Sequence, residues 1–390
     1  MEPSEEPLTK PPRRHLDRGV LVVLGLGTLL ALALRLSLFS FESVDYREFL
    51  SPWYDFIVSY GGFGALRYDF SNYSPLYLYL LTLATYLPLD KLYAIKLVSV
   101  SFDLLLALFV LLTVRLKYEN GTVLATSFLV ALFAPTVFLN SALWGQSDAT
   151  YTSMLVASIY FAIQRRPNLS LFFFSVALSF KLQAVFLFPL FIVLLLRKQV
   201  PLYAFLIIPA TYAASILPSW LEGRPLTGLL MTYPAQAGLF PQLTLNAPNL
   251  YQWLPNDPGS FAKPGNVLAA SLVGLLCLVC WRSDAPLDGD VIVKLSLVSL
   301  LLLPFTLPHM HERYFFGADV VSIIYAFYAP KHFFVPIVVG GASLFSYFPF
   351  LFRVEPIGLQ YLAVPIAVAL IIVAADLARS LYPSRIEQPL

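Results

Sequence analysis

Tyr73 to Leu87 reads YSPLYLYLLTLATYL, an apolar run whose assignment sets the orientation of every later segment. If the run crosses a bilayer, the basic clusters that follow it change sides. If it lies along the surface or re-enters it, they gather on one side. The run is shorter than the roughly 20 apolar residues a spanning helix needs. Pro75 suits a first helical turn, where its missing N–H costs nothing, and Tyr73, Tyr77 and Tyr79 suit a membrane interface. A juxtamembrane or re-entrant helix is therefore expected here.

The rest of the chain supplies the bilayer. Of 390 residues, 58% are hydrophobic and 12% charged, against about 25% charged in a soluble domain, and the mean hydropathy is +0.74. Apolar runs at 19–38, 93–114, 121–139, 149–164, 168–180, 182–196, 201–218, 266–281, 291–307, 317–330, 332–350 and 358–378 read as about twelve crossings. With 73–87 kept out of the count, Arg115/Lys117, Arg165/Arg166, Arg197/Lys198, Arg282, Lys331 and Arg379/Arg385 fall on the side of the N-terminal cluster Lys10, Arg13, Arg14 and Arg18. Cytoplasmic loops are enriched in Lys and Arg, so that side is read as inside. The expected fold class is an all-α polytopic membrane protein of about twelve transmembrane helices, with juxtamembrane helices in the first outer loop.

Residues 1–18, rich in Pro and Glu, read as a disordered cytoplasmic tail. Residues 19–390 read as one transmembrane domain with long outer loops at 40–92 and 219–265, and without an internal repeat. The first apolar run has no small-residue cleavage site and reads as a retained span. A net charge of +2 in small separated clusters gives no nucleic-acid footprint. Cys277 and Cys280 lie within an apolar run and read as packing sulfur.

The polar residues gather on the outer face. Asp45, Glu48, Asp55, Arg67 and Asp69 come from the first loop, Trp144 to Asp148 (WGQSD), Lys181 and Gln183 from span ends, and Asn246, Asn249, Gln252 and Asp257 from the second loop. The block His309 to Arg313 (HMHER) completes the set. Asp45, a few residues past the first span, suits a general base that takes a proton from a hydroxyl; a solvated loop carboxylate is the plain alternative, and Glu48 the substitute. Lys181 and Arg35 would each cost about 2.5–3.5 kcal/mol at a helix centre, so each needs a cavity or an anionic partner, or, for Arg35, a snorkelling path to the interface. Arg313 suits a bidentate phosphate contact and Lys a point charge.

His309, His311 and Glu312 have strand-like metal-ligand spacing, but with no third ligand in sequence they are read as hydrogen-bonding groups for phosphate or sugar. In the Trp144–Asp148 stretch, Trp144 and Gln146 suit sugar recognition, while Ser147 or Asp148 suits a helix cap. Asp288-Gly289-Asp290 spells a DxD pattern but lies in a short inner loop without a phosphate cradle and is discounted. The sequons at Asn120 and Asn168 fall inside, and that at Asn72 hugs the membrane.

Taken together, Asp45, Phe49-Leu50-Ser51-Pro52-Trp53, Tyr73-Ser74-Pro75-Leu76-Tyr77, Ala142 to Asp148 (ALWGQSD), Phe180-Lys181-Leu182-Gln183, Asn246 to Tyr251 (NAPNLY) and Pro308 to Tyr314 (PHMHERY) resemble the GT-C superfamily of polytopic glycosyltransferases. Within it the chain resembles mannosyltransferases related to the second mannosyltransferase of GPI-anchor synthesis. The resemblance implies inverting transfer of one sugar, usually mannose, from a polyprenyl (dolichyl-type) phosphate to a hydroxyl of a lipid or glycan acceptor, on the lumenal or periplasmic face.

On that reading Asp45 is the catalytic base. Lys181, His311, Arg313 and Arg35 hold the donor phosphate, and Trp144, Gln146, Asp148, Gln183, His309, Glu312 and Asn249 contact sugar or acceptor. Ser74 stands where relatives often have proline. Tyr46 follows Asp45 where many have a second acid, which leaves a divalent metal open though none is indicated as cofactor. The resemblance also leaves room for an accessory membrane subunit. The alternative reading is a secondary transporter or lipid flippase, which would place polar groups at the midplane and show internal repeats. A whole-glycan transferase would usually bring a soluble domain, and a scaffold would not repay so many charges beside the membrane.

Overall fold

The computed structural model describes residues 17–236 and 240–383. Most of the expected tail, with Lys10, Arg13 and Arg14, and also Arg385, lies outside the described residues. At the tail's end, Asp17 accepts a hydrogen bond from the Val20 amide at 2.8 Å and caps α1 (Arg18–Ser37).

The chain is 77% helical with almost no sheet. After α1 come α2 (Ser51–Ser59) and α3 (Pro75–Ala84), then the long α4 (Lys91–Arg115). The helix α5 (Gly121–Leu132) stops before Pro135, and α6 (Pro135–Phe138) resumes at a 45° bend. Next come α7 (Asp148–Ile163), α8 (Pro167–Phe180), α9 (Phe188–Leu196) and α10 (Ile207–Leu221). Two short helices, α11 (Leu226–Leu230) and α12 (Thr232–Gln236), precede the final five: α13 (Pro258–Arg282), α14 (Gly289–Thr306), α15 (Phe316–Tyr328), α16 (Val335–Phe352) and α17 (Leu359–Leu381). Among the described residues seven helices are long and apolar enough to cross a membrane, or eight with the bent pair. The protein is an all-α, multi-pass membrane protein. The helix over 75–84 has 10 residues and rises about 15 Å, half a hydrocarbon core.

Burial separates the middle of the bundle from its rim. In α14, apolar on every side, 83% of the most hydrophobic window is buried, against 17% for α1 and 22% for α13. A helix that is apolar all round is either central or lipid-facing, and packing partners decide which. Small residues let neighbours approach closely: across α7 and α8, Ser158 Oγ donates to the Ser170 carbonyl and Ser170 Oγ to the Ser158 carbonyl, each at 2.8 Å.

Helix ends group at two poles. At one, Lys117 Nζ bonds Asp290 and the Tyr328 carbonyl, Arg197 donates to the Cys280 and Ala285 carbonyls, and Lys294 and Lys331 flank Asp376. The discounted DxD is explained there: Asp288 caps α14 through the Val291 amide, and Asp290 pairs with Lys117. The opposite pole gathers the C-terminal ends of α1, α8, α14 and α16 with the segments 38–90, 222–236 and 240–257. The second loop is shorter than expected over 219–265, because α10 runs to Leu221 and α13 begins at Pro258. Its Thr244–Leu245 pairs in parallel with Met310–His311, tying it to the HMHER block.

Arg35 is corrected. It is fully buried, with Nε 2.8 Å from Asp103 Oδ2 and a second nitrogen donating to the Leu132 carbonyl at 2.8 Å. Asp103 also accepts from Ser141 Oγ. A guanidinium spent on a carboxylate and on the carbonyl where α5 stops is a cross-link between helices, not a phosphate ligand.

Candidate functional site

The site is built at the second pole by two turns that join helices. Ser43 Oγ accepts from the Tyr46 amide at 3.0 Å and donates to the Trp144 carbonyl at 2.7 Å, so the turn bearing Asp45 is pinned to the WGQSD stretch. Both partners sit beside π-helical turns, Tyr46–Leu50 and Leu139–Trp144, a widening frequent at functional sites. The second turn ends at Gly145, whose φ of 80° needs glycine.

One carboxylate oxygen of Asp45, Oδ2, accepts from Trp144 Nε1 at 2.9 Å and from Gln146 Nε2. The amide of Gln146 is set in turn by Tyr73, whose hydroxyl donates to Gln146 Oε1 at 3.0 Å. Trp144 is fully buried and stacks on Phe350, with ring centroids 5.1 Å apart. Asp45 is therefore part of a fixed wall, and it lines a cavity of about 420 Å3 together with Tyr73, Gln146, His311, Glu312 and Arg313. That volume lies in the range of small-molecule sites, roughly 300–1,000 Å3.

The cations of the site are paired. Lys181 occupies the extended residue that breaks α8, with φ −148° and ψ 140°, and its Nζ lies 2.7 Å from Asp148 Oδ1 and 3.4 Å from Gln146 Oε1. Asp148 does not cap α7, and neither does Ser147. Its carboxylate instead holds Lys181, accepts from Asn140 Nδ2 at 2.7 Å and faces Arg313 Nε at 3.7 Å. Arg313 also pairs with Glu312 at 3.3 Å and stands 5.7 Å over the Trp144 ring. Burial opposes its charge, yet Asp148, Asp45 and Glu312 hold the guanidinium well above its ordinary pKa. Burial drives Glu312 up to about 7 against the pull of Arg313, and drives His311 down to about 3 with Arg313 and Lys181 adding to the effect. His311 is thus a neutral imidazole near neutral pH, able to hydrogen-bond but not to add charge.

Asp45, Gln146, His311, Glu312 and Arg313 line one cavity, with Trp144, Asp148 and Lys181 behind it or on its flank. Other expected members stand apart. Asn249 is fully buried, caps the turn Leu250–Trp253 and donates to the Pro304 carbonyl at 3.4 Å, a structural use. His309 has φ 62° and its ring bonds the Gln242 carbonyl at 2.7 Å. With Gln183 it lines a neighbouring cavity of about 390 Å3 rather than that of Asp45. His311 lines that neighbouring cavity as well as the cavity of Asp45, and no group of three His, Cys, Asp or Glu among the described residues could hold a metal ion.

Sequence reasoning missed Asn140 and Lys96 and gave Tyr73 an interface role, not its contact with Gln146. Lys96 is buried in α4 and donates to the carbonyls of Leu38, Phe39 and Phe41 at 3.3, 2.9 and 2.6 Å, closing the C-terminal end of α1 just before Asp45. A lysine one turn inside an apolar span was its only signal. No protein-family model matches this chain, and no curated protein matches it.

Proposed function

We propose that the protein is an inverting glycosyltransferase of GT-C type that moves one sugar, mannose by preference, from a polyprenyl-phosphate carrier to an acceptor hydroxyl on the non-cytoplasmic face. The observation that carries the reading is Asp45, held by Trp144 and Gln146 on the wall of a cavity whose other walls present Arg313 and His311. Asp45 and Arg313 line the same cavity without an ion pair between them, which suits a reaction in which a proton is gained by one group and a phosphate is met by the other.

In this scheme the acceptor oxygen bonds to the anomeric carbon while the bond from that carbon to the phosphate oxygen breaks. The hydroxyl proton passes to Asp45, and the polyprenyl phosphate leaves with the electron pair. Attack from the side opposite the leaving group inverts the anomeric centre. Arg313 meets the growing phosphate charge, with Lys181 behind it and His311 as a neutral donor. Asp148 holds both cations in place between turnovers. Paired cations are less attractive to a phosphate than bare ones, but they remain ordered without it, and fixed dipoles need no reorganisation during reaction.

The alternation of helix ends between the two poles supports about twelve crossings. Arg115, Lys117, Arg197, Arg282, Lys331 and Arg379 cluster at the pole away from Asp45, which supports an outer site. The shorter helices, such as α8 with 14 residues, are shielded by neighbours, which allows them to cross although alone they would be too short.

The test is transfer of radiolabel from polyprenyl-phosphate mannose by membranes carrying the wild type or Asp45→Asn. Labelled product should form with the wild type and fall by about 10²–10⁴-fold in the variant, the usual contribution of a general base. A well-expressed Asn variant of full activity would remove Asp45 from the mechanism. Movement of lipid or solute across vesicles without donor consumption would replace the whole reading with transport.

A further inference from the structure

Asp319 lies in the first turn of α15, only 3% exposed, and neither of its carboxylate oxygens makes a hydrogen bond of ordinary geometry among the described residues. Three buried hydroxyl residues stand near it. Ser343 of α16 and Thr136 of α6 lie beside the carboxylate, and Ser343 also lies beside Tyr347, one turn further along α16. Ser343 Oγ and Tyr347 Oη are likewise without a partner among the described residues. Buried hydroxyls elsewhere bond to their own helix, as Ser346 Oγ does to the Ser343 carbonyl at 2.7 Å.

No basic side chain pairs with Asp319 among the described residues. The buried cations of the bundle are taken up by other carboxylates, Arg35 by Asp103, Lys181 and Arg313 by Asp148, and Lys294 by Asp376. An ionised carboxylate buried without a partner is costly. The charge and the number of open oxygens select what joins it. Water would close hydrogen bonds and leave the charge. A proton would cancel the charge but close a single hydrogen bond, leaving other oxygens open. A divalent ion would bring one positive charge in excess. A monovalent cation balances Asp319 and draws on both its oxygens and the three hydroxyls, hard donors that suit such an ion. The groups lie close enough to act on one another, which favours sodium over the larger potassium.

We propose that Asp319, Ser343, Thr136 and Tyr347 form a sodium site inside the helix bundle, behind the wall that carries Asp45. Tyr347 packs edge-on with Trp144, their ring centroids 5.2 Å apart, and Trp144 Nε1 holds Asp45. An ion bound here ties α6, α15 and α16 together at the back of that wall. The site stands on Asp319 and its surroundings and does not depend on the proposed transfer.

The test is equilibrium binding of radiolabelled sodium to the purified full chain in detergent, with thermal melting in sodium chloride against choline chloride at equal ionic strength. The wild type should bind about one ion per chain and melt at a temperature that rises with sodium concentration. Asp319→Asn should abolish both effects. Tyr347→Phe keeps the ring, removes one oxygen and should weaken binding about tenfold or more; it carries the test alone if Asp319→Asn does not fold. Absence of bound sodium in the wild type, or binding of undiminished affinity in Tyr347→Phe and Asp319→Asn, overturns the site. A wild type indifferent to sodium but stabilised by lower pH in an Asp319-dependent way also overturns it, and puts a proton in place of the ion.

Discussion

Trp144 and Gln146 both spend their donors on the same oxygen of Asp45. Gln146→Met therefore removes one of two bonds that fix the carboxylate while keeping the side chain's length. Turnover should fall about 10-fold or more with donor affinity little changed, measured as separate kcat and KM values. Tyr73→Phe, which frees only the Gln146 amide, should fall less. Arg35 belongs to a different argument, because its partner Asp103 is fully buried beside it. Removing one member of such a pair costs about 3–5 kcal/mol, whereas replacing both with apolar groups is often neutral. Arg35→Met should lower thermal stability sharply, and Arg35→Met with Asp103→Leu should recover much of it. A raised donor KM with intact stability in Arg35→Met would return Arg35 to the phosphate site.

At the scale of elements, the end of α1 and the short helical turn from Glu312 to Phe315 carry the site. Lys96 collects the carbonyls of Leu38, Phe39 and Phe41 just past the end of α1, the role a cation plays at a helix C-terminus. Lys96→Met should destabilise the protein by about 1–3 kcal/mol and lower transfer as well, because the unsatisfied turn leads directly to Asp45; circular-dichroism melting alongside the transfer assay reads both. The turn at Glu312 predicts a pH dependence. Its carboxyl is raised by burial from 4.5 to about 7. A carboxyl with a raised folded-state pKa favours the folded state fully below the unfolded value, and that contribution fades as pH rises through about 7. Glu312→Gln should flatten the loss of thermal stability between roughly pH 4.5 and 7, by up to about 3 kcal/mol. His311 runs the other way, lowered by burial from 6.5 to about 3. Its contribution is present above 6.5 and is lost as pH falls, so His311→Gln should reduce acid lability without touching the neutral side.

At the scale of the whole molecule, orientation is the quantity to test. Val354 is exposed on the segment between α16 and α17 at the Asp45 pole, and Glu119 is exposed between α4 and α5 at the basic pole. Cys277 and Cys280 are buried, so single cysteines placed at these two positions report cleanly. An impermeant maleimide should label Val354→Cys in intact cells and Glu119→Cys only after permeabilisation; the reverse pattern would put the Asp45 site in the cytoplasm. The sequence by itself determined the membrane class, the positions of nearly all the helices and the reading of 73–87 as a short helix, because hydropathy, proline and basic flanks act locally along the chain. It also marked Asp45, Gln146, His311, Glu312 and Arg313, which were legible as polar groups left in an apolar chain at a cost that calls for a partner. Partner choice was not legible. Arg35 and Lys181 look alike in sequence, as cations at span ends, yet one pairs with Asp103 inside the bundle and the other with Asp148 beside the cavity. Asn249 and Gln146 are both amides at the Asp45 pole, yet one caps a turn and the other orients a carboxylate. Apart from the local cap by Asn249, these outcomes rest on contacts between residues 33 to 101 positions apart, such as Lys181 with Asp148 and Gln146 with Asp45. Only the packing of helix against helix brings such groups within hydrogen-bond reach, and so only the tertiary structure decides which partner each charge takes and whether the pair faces a cavity.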